Sequence, residues 1–168
     1  MGEKKYIVDK AVAAQKLHRL ALEVAEQLDG DTADLILIGV KENGVVIAEK
    51  IASIIAQYIQ AEVKVIAVIM DKLKPVDIVL SDMNINFNDK NIIIVDDVAN
   101  SGKTLMYALK PLMAFHPKRI QTLVLVDRMH KLFPVKSDYV GLSIATTLQD
   151  HIEVEVVDGE IMGAYIKM

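Results

Sequence analysis

The sequence contains no cysteine and no tryptophan among its 168 residues, and only 5% of its residues are aromatic. Without cysteine the chain has no disulfide, no thiolate nucleophile and no cysteine-based metal site, and a cytoplasmic location is the simplest expectation. Few aromatic side chains leave few platforms on which nucleic-acid bases could stack. An excess of positive charge is also lacking, since the formal net charge is −4. This balance argues against broad, charge-driven binding of nucleic acid.

Long apolar runs are missing as well. No run approaches the ~18–20 residues that a membrane-spanning helix needs, and the first ten residues lack the apolar segment of a secretory signal. Apolar residues make up 52% of the chain and charged residues 25%, which is the composition of a folded soluble protein. We therefore expect a single domain over residues 1–168, with its own core and no membrane partner.

Short β-branched apolar runs alternate with segments of helical periodicity. The predicted strands are residues 34–40, 62–70, 91–97 and 119–127. The predicted helices are residues 8–28, 45–59 and 102–115, the last with a kink or an early end near Pro111. Residues 71–90 read as a loop or loose hairpin, and residues 151–168 as a closing hairpin turned by Asp158 and Gly159.

This alternation predicts an α/β fold with a mostly parallel twisted sheet flanked by helices. In such sheets ligands bind beyond the carboxyl ends of the strands, in the crevices between loops. The loops to consider are therefore residues 39–44, 96–103 and 127–141.

The stretch NIIIVDDVANSGKTL, residues 91–105, joins a buried strand to a polar turn and a helix start. A helix that opens near Gly102 offers unpaired N–H groups to an anion, and Asn100, Ser101, Lys103 and Thr104 add polar or positive side chains. The turn is therefore a candidate phosphate cradle, although Ser101 could simply cap the helix while Lys103 is solvated. A full Walker loop is excluded, because the glycine it requires five residues before Gly102 is Asp97.

Asp96 and Asp97 come directly before this turn. If both carboxylates turn into the crevice as the strand ends, they can accept hydrogen bonds from the vicinal hydroxyls of a ribose. They can also hold Mg²⁺, directly or through water. The alternative is a solvated strand end. Taken together, the acids and the cradle predict a ribose 5-phosphate pocket.

Two stretches carry a family resemblance. IIIVDDVANSGKTL resembles the phosphoribosyl pyrophosphate signature of type I phosphoribosyltransferases, and PKRIQTLVLVDRMHKLFPVKSDYVGLSIATT resembles the pyrimidine operon regulator and uracil phosphoribosyltransferase family. IGVKENGVVIAEKI is similar to the strand, pyrophosphate loop and helix of the same family. The resemblance implies a core over residues 34–126 and a small hood formed by residues 127–168 with the N-terminal segment. It also implies a homodimer or a larger homo-oligomer.

The resemblance assigns roles to particular residues. The pyrophosphate loop would be Lys41, Glu42, Asn43 and Gly44, and the 5-phosphate would lie on Ala99, Asn100, Ser101, Gly102, Lys103 and Thr104. Asp96 and Asp97 would bind the ribose and Mg²⁺, and these two acids and Lys41 would be the catalytic residues. The nucleobase would lie against Asp127, Arg128, Tyr139 and Val140. In this scheme the Tyr139 ring stacks on the base and the Val140 main chain reads its edge, whereas the alternative makes Tyr139 a core aromatic at a strand start.

The implied reaction moves ribose 5-phosphate from phosphoribosyl pyrophosphate, the co-substrate, to a nucleobase, as in pyrimidine salvage. Several residues depart from the family pattern. Glu42 and Asn43 replace a Thr-Arg pair of the pyrophosphate loop, and the expected flexible loop has no arginine, only Lys72 and Lys74 as partial substitutes. Asn100 stands where hypoxanthine-type relatives carry an Asp that acts as a base, and Asp127 where they carry a Lys, so uracil is the expected substrate.

Two functions remain open on these residues: a uracil phosphoribosyltransferase, or a weakly catalytic or non-catalytic regulator that senses phosphoribosyl pyrophosphate or a nucleotide. The acidic chain disfavours RNA as a partner. A local basic patch remains as a candidate RNA surface, made of Lys16, His18, Arg19, Lys118 and Arg119.

Overall fold

The computed structural model describes residues 4–71, 77–147 and 150–167. Its strands, in chain order, are β1 Lys5–Asp9, β2 Leu35–Val40, β3 Val63–Ile69, β4 Val79–Leu80, β5 Asn91–Ala99, β6 Arg119–Arg128, β7 Tyr139–Ile144, β8 His151–Val157 and β9 Glu160–Lys167. Its helices are α1 Lys10–Gln27, α2 Lys41–Ile55 and α3 Lys103–Ala108, and a short 3₁₀ turn, Lys110–Leu112, follows α3.

Six strands form the central sheet in the order β4-β3-β2-β5-β6-β7. All neighbouring pairs are parallel except the short antiparallel edge strand β4. The predicted α/β fold is therefore confirmed, and so is the early end of the third helix near Pro111. The carboxyl ends of β2, β3, β5 and β6 lie at one edge of the sheet, which is where a ligand site is expected.

The sheet is buried on both faces. Strand β5 has all nine residues buried, because it lies between two apolar clusters. One cluster includes apolar residues of α1 and α2, such as Leu17, Leu20 and Ile51. The other includes Leu105 and Leu112 beside and after α3. This double burial holds the central strand, and with it Asp96 and Asp97, in a fixed place.

A second sheet of three antiparallel strands, in the order β1-β9-β8, forms the hood. The predicted hairpin of β8 and β9 turns at Asp158 and Gly159, both with positive φ (49° and 75°). Strand β1 was not predicted from the sequence. Ile152, Val154, Ile161 and Ala164 of the hood join the α1 and α2 cluster, so the hood is anchored on that face of the core.

The boundary between core and hood differs from the expected one. Strand β7 pairs in parallel with β6 and completes the central sheet as far as Ile144. The hood strands therefore begin at His151 rather than near residue 127. Strand β7 is the edge of the sheet, and α1 covers part of it. Within the described ranges, no helix is long and apolar enough to cross a membrane.

Candidate active site

The polar turn after β5 is held in shape by the segment that follows β6. The main-chain carbonyl of Ser101 accepts the N–H groups of Leu132 (3.0 Å) and Phe133 (3.1 Å). Gly102 has φ +87°, and a Cβ there would lie 3.3 Å from the Phe133 carbonyl oxygen, so this position favours glycine on both counts. A cavity of 50 Å³, lined by Asp96 and residues 98–105, opens at the turn. The predicted phosphate residues are thus brought together at one small cavity.

The two acids lie inside β5 rather than at its end, because the strand continues to Ala99. Their side chains are nearly buried, with exposed fractions of 1% for Asp96 and 9% for Asp97. Asp96 accepts the N–H of Asp97, and Asp97 accepts the N–H of Val98, each at 2.8 Å. Asp96 lines the small cavity at the turn, whereas Asp97 lines two cavities elsewhere. The expectation that both acids enter one crevice is therefore corrected: they face different cavities.

The first of these two cavities has a volume of 710 Å³ and lies between the start of α2 and the end of β3. It is lined by Lys41, Glu42, Asn43, Asp97 and the apolar side chains of Val40, Val45, Ala67, Ile69 and Met70. The predicted pyrophosphate loop is the first turn of α2, which begins at Lys41 and not near residue 45. Gly44 is required here, since a Cβ would lie 2.6 Å from the Val95 carbonyl oxygen of β5.

The second cavity, of 310 Å³, separates the core from the hood. Its walls are Asn43, Asp97, Val98 and Asn100 from the core and Ile152, Glu153 and Val154 from β8. The Asn43 side-chain amide donates to the Asp97 carboxylate at 2.9 Å and to the Val154 carbonyl at 3.2 Å. Asp97 thus lies between a large cavity on the α2 side and a smaller one under the hood.

Arg128 forms hydrogen bonds both to the polar turn after β5 and to the segment that follows β7. Its guanidinium donates to the Thr146 hydroxyl (2.8 Å), the Thr147 carbonyl (2.9 Å) and the Asn100 side-chain oxygen (3.2 Å). The sequence predicted Arg128 and Asn100 as site residues. Thr146 and Thr147 were not predicted, although they end the stretch that resembles the family. Arg128 therefore supports the site from the side of the turn.

Asp127 lies in a different place from the one expected. Its carboxylate pairs with Lys131, whose ammonium also reaches the carbonyls of Arg128 and Ala99. Asp127, Lys131 and Ser143 line a separate cavity of 440 Å³, beside the segment between β6 and β7. Asp127 is thus outside the cavity under the hood. Lys131 was missed by sequence reasoning, because it lies in the segment after β6, where no periodic pattern indicates which side chains meet.

Tyr139 is a core residue, and the expectation that it stacks on a base is wrong. Strand β7 is parallel to β6, and its register sets Tyr139 beside Leu123, four residues before Asp127. The ring is only 4% exposed, and its hydroxyl donates to the Gln121 side chain at 2.9 Å. Burial raises the pKa of Tyr139 above its usual value. Its phenol is therefore buried among core residues, far along the strand from the site.

The edge of β7 is occupied by two basic side chains of α1. Arg19 donates to the carbonyls of Val140 (3.1 Å) and Gly141 (2.9 Å), and Lys16 donates to that of Gly141 (3.1 Å). The Val140 carbonyl is therefore bound by Arg19, which corrects the expectation that this main chain reads a base. Lys118 pairs with Asp31 at 2.9 Å. Three cations of the suggested basic patch, Lys16, Arg19 and Lys118, thus have hydrogen-bonding partners within the protein.

Two other expectations concern loops and metal. The predicted substitutes for arginine, Lys72 and Lys74, lie outside the described residues. Across the described part of the chain, no three His, Asp or Glu side chains converge as a metal site. Asp96 and Asp97 are too few to bind Mg²⁺ by themselves. They fit Mg²⁺ only if water and substrate phosphates supply the remaining ligands.

Comparisons with known proteins agree with this architecture. The phosphoribosyl transferase domain family matches residues 6–158. Two solved structures share the fold. The hypoxanthine phosphoribosyltransferase of Trypanosoma cruzi has a TM-score of 0.80 and 17% identity, over 96% of this chain and 95% of that one. The hypoxanthine-guanine phosphoribosyltransferase of Bacillus anthracis has a TM-score of 0.69 and 22% identity, over 86% of this chain and 84% of that one. The chain belongs to the phosphoribosyl transferase family.

Relatives within the family are closer in sequence. The bifunctional protein PyrR of Ligilactobacillus salivarius is 35% identical over 93% of this chain and 94% of that protein. The bifunctional protein PyrR of Bacillus cereus strain AH820 is 34% identical over 93% of this chain and 92% of that protein. These relatives confirm the resemblance to the pyrimidine operon regulator branch.

Proposed function

We propose that this protein transfers ribose 5-phosphate from phosphoribosyl pyrophosphate to uracil and releases pyrophosphate. The observation that carries the proposal is the placement of the two acids on β5. Asp96 faces the small cavity of the polar turn, and Asp97 faces the cavities on either side of the α2 start. This order suits a ligand whose phosphate lies at the turn and whose sugar extends towards Asp97.

The 5-phosphate would bind at the polar turn. Main-chain N–H groups of residues 101–104, the Thr104 hydroxyl and the Lys103 ammonium are the donors that this turn offers. Asp96 lines the same cavity, so it is the acid nearer the phosphate and would accept the ribose 3-hydroxyl. Asp97 would then accept the 2-hydroxyl, next to the anomeric carbon.

The two cavities beside Asp97 suit the two partners of a displacement. Pyrophosphate would leave into the 710 Å³ cavity, where Lys41 offsets part of its charge, while the base approaches from the 310 Å³ cavity under the hood. The bond from the anomeric carbon to the pyrophosphate oxygen breaks, and pyrophosphate keeps the electron pair. A bond to the ring nitrogen of uracil forms as that nitrogen releases its proton to solvent water. Asp96 and Asp97 would hold Mg²⁺ through water, and the charge of this ion would offset that of the phosphates.

Uracil fits the polar groups under the hood better than a 6-oxopurine does. Asn100 is an amide that cannot accept a proton at neutral pH, so the site lacks the base that hypoxanthine-type relatives carry at this position. Asp127 is paired with Lys131 outside this cavity and offers no cation to a 6-oxo group. Tyr139 is buried in the core and the Val140 carbonyl accepts a hydrogen bond from Arg19. The main chain of Ile152–Val154 in β8 would therefore form the hydrogen bonds to the edge of the base.

A second function has its own support. The charged residues that line the 710 Å³ cavity are Lys41, Glu42 and Asp97, one cation against two anions. Such a balance opposes a polyanion like pyrophosphate. This favours a regulator that binds a nucleotide, or phosphoribosyl pyrophosphate itself, with little or no turnover.

The proposal extends to assembly and location. Core and hood would act as one phosphoribosyltransferase domain, because the cavity under the hood has walls from both. A homodimer or larger homo-oligomer in the cytoplasm follows from the family resemblance and the cysteine-free sequence. Sedimentation of the purified chain would measure its oligomeric state.

A turnover assay separates the two functions. The protein is incubated with phosphoribosyl pyrophosphate, Mg²⁺ and one of a panel of bases, including uracil, cytosine, hypoxanthine and guanine, and both pyrophosphate and nucleotide are measured. Uridine monophosphate formed with uracil, and absent with Asp97→Asn, supports the transferase. Calorimetric binding of phosphoribosyl pyrophosphate or of uridine monophosphate, without product from any base, supports the regulator. If neither ligand binds and no product forms, both functions are contradicted.

A further inference from the structure

The Asn43 side chain lies where three parts of the molecule meet. It extends from the first turn of α2, and its amide nitrogen donates to the Asp97 carboxylate of β5 and to the Val154 carbonyl of β8. Asn43 and Asp97 also line both the 710 Å³ and the 310 Å³ cavities. This hydrogen-bonded pair therefore forms part of the wall between the two cavities.

We propose that Asn43 is a positioning residue, which orients the Asp97 carboxylate towards a ribose hydroxyl and links this site to the hood. The inference rests on the proposed function, because it assumes that Asp97 receives the ligand 2-hydroxyl. Asn43 itself touches no reacting atom in this scheme.

The two oxygens of Asp97 have different anchors. Oδ1 accepts the N–H of Val98 at 2.8 Å, and Oδ2 accepts the Asn43 amide at 2.9 Å. With a donor on each oxygen, the plane of the carboxylate is fixed. In the proposed complex a ligand hydroxyl would share the Asp97 carboxylate with the Asn43 amide, since a carboxylate accepts several hydrogen bonds. Loss of the amide would release one anchor and impair the hydroxyl contact, while the phosphate turn, at the Asp96 cavity, keeps its geometry.

The second hydrogen bond of Asn43 reaches the hood from inside the site. Val154 is 6% exposed and packs in the core cluster, so its carbonyl is fixed relative to α2. Another contact between α2 and the hood lies at the surface, where Lys50 pairs with Glu160 at 3.2 Å and the side chains are 32% and 56% exposed. Lys50→Ala is therefore a matched control, because it breaks a link between α2 and the hood without altering either cavity.

The first experiment uses three probes and three variants. Ribose 5-phosphate, 2-deoxyribose 5-phosphate and inorganic phosphate are titrated into the wild type, Asn43→Ala, Asn43→Asp and Lys50→Ala. We expect the wild type to prefer ribose to deoxyribose, and Asn43→Ala to lower this preference at least fivefold with phosphate affinity unchanged within twofold. Asn43→Asp keeps the shape but sets two carboxylates together, so it should lower the preference further. Lys50→Ala should keep the wild-type preference.

The outcomes separate the inference from the proposed function. Wild-type protein that prefers ribose, with the same preference in Asn43→Ala, overturns the inference alone. An equal loss of affinity for all three probes in Asn43→Ala also overturns it, because that pattern reports a structural defect. Wild-type protein that binds neither sugar phosphate overturns the proposed function and the inference together.

Hydrogen exchange tests the link to the hood without relying on affinity. In Asn43→Ala the amides of β8 should exchange faster than in the wild type and in Lys50→Ala, at equal global stability. Ribose 5-phosphate should slow this exchange in the wild type but not in Asn43→Ala. Equal exchange in Asn43→Ala and the wild type contradicts the link.

Discussion

Replacement of Gly44 by alanine tests how closely α2 must approach β5 for the site to form. The added Cβ would lie 2.6 Å from the Val95 carbonyl oxygen, whereas ordinary contact begins at 3.4 Å. The first turn of α2 must therefore retreat by about 0.8 Å, the difference between these distances, because the carbonyl lies in a buried strand. A retreat of the same size along the 2.9 Å hydrogen bond from Asn43 to Asp97 would lengthen that bond to about 3.7 Å, beyond hydrogen-bonding range.

We expect Gly44→Ala to have two effects. Overpacking of this kind costs about 1–3 kcal/mol of unfolding free energy, partly offset by the better helix propensity of alanine. For a chain of this size each kcal/mol lowers the Tm by roughly 2–4 °C. Affinity for ribose 5-phosphate should fall at least tenfold in calorimetry, because displacements near 1 Å are large for a preorganised site.

Gly30→Ala is the comparison for this experiment. Gly30 has φ +75° and no atom within 4 Å of an added Cβ, so alanine there is strained but clashes with nothing. This variant should lose about 1–2 kcal/mol of stability and keep its ligand affinity. Wild-type affinity in Gly44→Ala would refute the close approach of α2 as a requirement of the site.

Three further substitutions test other parts of the structure. A hydrogen bond from Lys118 holds the pKa of Asp31 at about 2, below its usual 3.8. The ionised Asp31 therefore stabilises the fold above about pH 4, and this contribution is lost as the pH falls towards 2. Urea unfolding should accordingly show Asp31→Asn less stable than the wild type at pH 7, with a smaller difference at pH 3; a constant difference contradicts the ion pair. Lys131→Met leaves the Asp127 carboxylate unpaired and should cost about 1–3 kcal/mol in the same assay, and unchanged stability would mean that the pair contributes nothing. Gly102→Ala should weaken phosphate binding severalfold in calorimetry, because φ +87° disfavours alanine, and full affinity would show that the turn adapts.

The sequence was sufficient for the parts of the site that one continuous stretch encodes. The buried strand, the two acids and the glycine turn are adjacent in the chain, so their proximity needs no tertiary information. The strand was nevertheless expected to end at Asp97, and its continuation to Ala99 directs the two acids to different cavities. Parallel pairing with β6 extends this strand, and local sequence does not report pairing.

Other features depend on contacts between distant segments. The start of α2 was missed because Lys41 has a left-handed φ of 54° and the letters KENG read as a loop. The burial of Tyr139 follows from the register of β7 against β6, which no local pattern sets. The Asn43 bridge to Asp97 and Val154 joins residues 54 and 111 positions apart, so only the folded chain reveals it.

The role of Asp97 is the central claim, and one titration tests it most directly. Uridine monophosphate is titrated calorimetrically into the wild type and into Asp97→Asn, with the fold of the variant verified by its Tm and circular dichroism. The variant keeps the size of the side chain but loses a charged acceptor for the ribose hydroxyl. We predict an affinity at least tenfold weaker, or about 1.4 kcal/mol. Equal affinity in a folded variant would contradict a ribose site at Asp97.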